Sequence, residues 1–99
     1  MSRASIERRL LDISDRIKQT TTEFAVTDEQ LTFLDEEADS ARLRAIVAET
    51  PMEVATANEA QRHADALRRH RESLTKTLRE LREEQDGLLD RLTIESTSR

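Results

Sequence analysis

Thirteen positions constrain this chain more than any motif in it. Ile6, Leu10, Ile13, Ile17, Thr20, Phe24, Thr27, Leu31, Leu34, Ala38, Ala41, Ala45 and Ala48 follow one another at alternating steps of four and three. Residues three and four apart stack on one face of a helix, so this rhythm is a heptad seam. Only Thr20 and Thr27 in it are polar. The phase holds from Ile6 to Ala48, which a disordered chain does not do despite a charged fraction of 37%. The same rhythm returns in Ala57, Ala60, Ala64, Leu67, Arg71, Leu74, Leu78, Leu81, Gln85, Leu88 and Leu92. A seam of Leu, Ile and Ala, with aromatics at 2% of the chain, suits a helix pair better than a round core.

Pro51, the one proline, lies between the two seams. It disfavours helical geometry at Thr50, so the first helix should end near Glu49. Two capping boxes then compete to start the second helix: Thr50-Pro51-Met52-Glu53 and Thr56-Ala57-Asn58-Glu59. The second leaves a loop of ordinary length, the first a very tight turn. The expected fold is all-α: a single antiparallel two-helix hairpin domain over 1–99, coiled-coil-like. Its helices span about 4–49 and 57–95, its turn about 49–56, and a frayed tail 96–99. Thr20, Thr21 and Thr22 have poor helix propensity, and Thr27 with Gln30 reads as a cap, so the first helix has a weak point at 20–28 where it could kink. The unbroken seam favours continuity.

Charge tests the pairing independently. Residues 1–22 carry net +2, 23–53 net −7, 62–79 net +4 and 80–99 net −3. Folding at Pro51 sets acidic 23–53 along basic 62–79 and basic 1–22 along acidic 80–99. Exposed pairs contribute little each, so the pattern selects orientation more than it stabilises. A register counted outward from Ala48 against Ala57 sets Ala45 on Ala60, Ala41 on Ala64, Leu31 on Leu74, Phe24 on Leu81 and Ile17 on Leu88. Thr20 then meets Gln85, and Arg71 lies against Leu34 with its guanidinium reaching Asp35.

Five apolar residues, Val26, Phe33, Leu43, Ile46 and Val47, lie off the seam on the far side of the first helix. Such a group suggests a second buried face. The expected occupant is a second copy, giving a homodimer and a four-helix arrangement, with another protein partner as the alternative. The hairpin tip is the other candidate contact: Met52 and Val54 as a small apolar knob, Glu49 and Glu53 as its acidic flanks.

Little else carries chemistry. There is no cysteine and one glycine, so no thiol nucleophile, cysteine-bound zinc or glycine-rich phosphate loop. His63 and His70 are about 10 Å apart along a helix, too far to share a metal. Glu59 with His63 would supply only two ligands. The serines have no histidine at triad spacing. No enzyme activity, cofactor or metal is expected. The run around Arg62, Asp65, Arg68 and Arg69 could contact a phosphate or a cyclic dinucleotide, but it lacks interleaved aromatics and the chain has pI ≈ 5.1. Nucleic acid is therefore the weaker reading. No signal peptide and no long apolar stretch appear, so no membrane partner and a cytoplasmic location are expected.

The acidic tip, Glu49 and Glu53, is similar to that of transcript-cleavage factors that insert a coiled coil into RNA polymerase, though their globular domain is not in these 99 residues. Small secreted hairpins with Trp-x-Gly at the turn are of similar length, but here the turn reads Glu49-Thr50-Pro51-Met52-Glu53. The Glu, Ser, Arg, Gln, Asp signature of dinucleotide-dependent anti-sigma hairpins finds no place on either helix. No family is assigned on these residues. The expected function is a non-enzymatic interaction or regulatory protein working through the outer face or the tip. The alternatives are a ligand- or nucleic-acid-binding regulator using the arginine-rich helix, and a secreted hairpin effector.

Overall fold

The computed structural model describes residues 2–97. Two helices account for nearly all of them: α1, Arg3–Ala48, and α2, Pro51–Thr97. They pack against each other as an all-α hairpin. Ser2 starts α1 as its cap, its Oγ accepting the Ser5 backbone N–H at 3.2 Å. The helix runs through 20–28 without interruption. Thr22 and Thr32 donate their hydroxyls to the backbone carbonyls of Lys18 and Asp28, and Thr27 is buried in the seam rather than capping a new helix. At the far end α2 continues through Thr97, past the expected stop at 95. Residues 98 and 99 of the expected frayed tail lie outside the described residues.

The reversal is shorter than the sequence suggested. It consists of Glu49 and Thr50 alone, and helix begins at Pro51 instead of 57. Glu49 takes the left-handed conformation (φ 54°) that ends a helix, while its N–H still donates to the Ala45 carbonyl at 3.0 Å. Thr50 Oγ1 accepts the Glu53 N–H at 3.3 Å, and Pro51 occupies the first helical position, where its missing N–H costs nothing. The first capping box is the one used. The second is absorbed into α2, with the Thr56 hydroxyl turned back onto the Met52 carbonyl.

By its contacts the chain forms two compact units, each drawing on both helices. In the unit Met1–Glu23 with Leu74–Arg99, Ile6, Ile13, Leu81 and Leu88 are buried, with Leu10, Ile17 and Leu92 packed on them. Ile6 and Ile13 are the largest fully buried side chains. Arg9 grips Glu84 with two hydrogen bonds of 2.8 and 3.0 Å.

In the unit Phe24–Ser73, which contains the turn, Thr27, Leu31, Ala38, Ala41 and Ala64 are buried. Here the expected register needs correction. Arg71 does not reach Asp35. Its Nε, shut off from water, lies 2.9 Å from Asp28 Oδ1, and its guanidinium carbon sits 5.4 Å from the Phe24 ring centroid. Asp35 is held instead by Arg68 at 2.7 Å. The cause is the turn. Two residues replace the eight of 49–56, which moves α2 by six residues, close to one heptad, and Asp28 stands seven before Asp35.

Candidate functional site

All five off-seam residues of α1 fall in the unit Phe24–Ser73, and all are exposed. Phe33 is 66% exposed and Val47 78%, with Val26, Leu43 and Ile46 beside them. Successive helical residues are about 100° apart, so side chains that miss the seam by half a turn must face outward. Apolar residues on this face take no part in closing the hairpin. A groove of about 530 Å³ runs beside Phe33, floored by Leu34 and Leu67 and edged by Glu29 and Gln30.

The tip carries a second, shallower groove of about 720 Å³ between Ile46, Pro51 and Val54, with Glu49 and Asn58 on its rim. Met52 is 77% exposed, and Val54 and Ala48 are exposed too, so these side chains close no buried layer. Glu53 is half-buried, its backbone N–H tied to the Thr50 cap.

The arginine-rich stretch divides in two. Gln61, Asp65, Arg68 and Asp35 form one chain of hydrogen bonds: Gln61 Nε2 and Arg68 each donate to Asp65 at 3.0 Å, and Arg68 also donates to Asp35. The hydrogen bond to Asp35, then its charge, raises the Arg68 guanidinium above its ordinary pKa. Asp65 and Arg68 are thus engaged in closing the hairpin. Arg62 and Arg69 face solvent. His63 Nε2 lies 3.9 Å from Glu59, and no cluster of three or more metal-ligating side chains occurs among the described residues. No helix is long and apolar enough to cross a membrane among them either.

Three exposed apolar residues escaped the sequence reading: Leu11, Leu89 and Ile94. The signal for two of them was available. Leu10-Leu11 and Leu88-Leu89 are adjacent leucines, and only one of each pair can meet the seam. Ile94 borders a pocket of about 190 Å³ with Ile6, Arg91 and Glu95.

Comparison with descriptions of protein families, with curated proteins and with solved structures finds no match for this chain.

Proposed function

We propose that this protein is a non-enzymatic helical interaction module, and that the outer face of α1 is its docking surface for a protein. The hairpin seam supplies the scaffold and the outer face the recognition. One observation carries this reading: Val26, Phe33, Leu43, Ile46 and Val47 are exposed together on the side of α1 that the hairpin does not use. Apolar side chains gathered on one face gain most from being covered by another apolar surface. A helical occupant suits a helical face, and a second hairpin placed there makes a four-helix arrangement.

The test compares the wild-type hairpin with Phe33→Glu combined with Ile46→Glu. Both sites are exposed, so helix content and urea midpoint, measured at concentrations low enough for single-chain mass, should stay close to wild type. Each protein is fixed to a resin and probed first with purified soluble hairpin, then with lysate. Retention by the wild type and its loss in the variant is the expected result. Equal retention by both removes the outer face from consideration.

The tip is a second reading, favoured by Met52 standing exposed beside a helix end held at positive φ. Backbone strain of this kind gathers at functional positions. The arginine-rich helix is the weaker reading, because Arg68 and Arg71 are already committed to Asp35 and Asp28.

A further inference from the structure

We propose that the outer face of α1 is covered by the outer face of α2 from a second copy of this chain, in a head-to-tail contact. The inference rests on the docking face proposed above and names its occupant. Glu29 and Glu36 stand on the outer side of α1, seven residues apart. Arg62 and Arg69 stand on the outer side of α2, also seven apart. All four are exposed, and none has an ion pair among the described residues, whereas Asp28, Asp35, Arg68 and Arg71 use theirs to close the hairpin. Between the two glutamates, at step four, lies exposed Phe33. Between the two arginines, at the same step, lies exposed Ala66.

One helix therefore presents acid, large ring, acid, and the other presents base, small methyl, base, at identical spacing. Laying one on the other matches both charge pairs in a single alignment. It also brings Phe33 level with Ala66 in a parallel alignment and within one residue of it in an antiparallel one, because each sits next to the midpoint of its pair. A bulky side chain meets a small one, as interdigitating helices require, and opposite charges flank the contact.

The twofold alternative, α1 against α1, is poorer on the same facts. An antiparallel contact that overlaps the whole patch, Val26 to Val47, has its axis between Glu36 and Glu37. It would set Glu36 of each copy against Glu37 of the other, a repulsion that the facing of Glu29 and Arg44 only offsets, whereas the α1-on-α2 alignment matches both of its charge pairs. A parallel contact sets Glu29 on Glu29 and Glu36 on Glu36. Like charges facing one another across an interface are costly. The α1-on-α2 contact uses two different patches, so it is not self-closing. Each added copy leaves one α1 face and one α2 face free, and association continues beyond two chains unless a ring forms.

Light scattering on the full chain over a concentration series tests this. The wild-type mass should rise past two chains without a plateau at two. Glu29→Arg with Glu36→Arg, and Arg62→Glu with Arg69→Glu, should each weaken association by at least about tenfold, since two attractions become two repulsions. An equimolar mixture of these two variants should regain association, because the basic α1 of one fits the acidic α2 of the other. Circular dichroism checks that both remain helical. A wild type of single-chain mass at every concentration, or a mixture that stays dissociated, overturns the proposal. A plateau at two chains that ignores the Arg62 and Arg69 reversals but is lost in Phe33→Glu with Ile46→Glu keeps the docking face and overturns α2 as its occupant. Association that survives the Phe33 and Ile46 changes as well refutes the docking face itself.

Discussion

Glu49 is the one non-glycine residue with positive φ among the described residues, and it sits where helices ordinarily carry glycine. An L-residue in the left-handed region costs roughly 1–2 kcal/mol, because its Cβ crowds the backbone. Glycine escapes that crowding but brings more freedom to the unfolded chain, worth about 0.4–1 kcal/mol. Glu49→Gly should therefore stabilise the hairpin by about 0.5–1 kcal/mol, the difference of those two quantities. Glu49→Val should destabilise it, since a β-branched side chain is the worst choice at positive φ. Glu49→Gln keeps the strain and removes the charge, so it separates backbone from electrostatics and should lie close to wild type. The Glu49 N–H bond to Ala45 and the Thr50 cap persist in all three, as neither involves the changed side chain. Urea denaturation followed by helix ellipticity gives the ranking, at protein concentrations low enough for single-chain mass and with slopes equal across variants. A glycine variant less stable than wild type, or a valine variant equal to it, would refute the account of the turn.

Two further outcomes follow from local geometry. Gly87 lies within α2, exposed, and a Cβ built there meets nothing within 4 Å, so Gly87→Ala should stabilise by about 1 kcal/mol in the same urea assay. Arg9, through its hydrogen bond above all and then its charge, holds the Glu84 carboxyl below its ordinary pKa, so that contribution is present above roughly pH 4.3 and lost as pH falls through the lowered folded value; the urea-midpoint gap between wild type and Arg9→Gln should shrink between pH 7 and pH 3, and a gap independent of pH would dismiss the pair.

The helices were legible because period is a global signal. From Ile6 to Leu34 an error of one residue would have turned the seam outward, and the sequence never makes that error. Apart from Ala48, which is exposed beside the turn, every seam position of both helices is buried or half-buried. The turn was less legible because its signals are local and duplicated. Thr50 and Thr56 both head sound capping boxes, and nothing within either decides between them. In the structure Thr50 is the cap, and the stiff reversal is reached by forcing Glu49 into a conformation its side chain does not advertise. A glycine there would have been read at once.

The charge pattern was read correctly in sign and too coarsely in position. Block charges set acidic 23–53 against basic 62–79, but the structure distinguishes neighbours within the blocks. Asp28-Glu29, Asp35-Glu36 and Arg68-Arg69 are doublets of like charge. Adjacent residues point about 100° apart on a helix, so one member of each doublet can reach across the hairpin and the other cannot. Asp28, Asp35 and Arg68 turn inward and find partners; Glu29, Glu36 and Arg69 turn outward and find none among the described residues. A doublet thus sends one charge to the partner helix and one to solvent. The inner members fix which way the two helices run, and the outer members repeat the same alternation of sign on the surface left over.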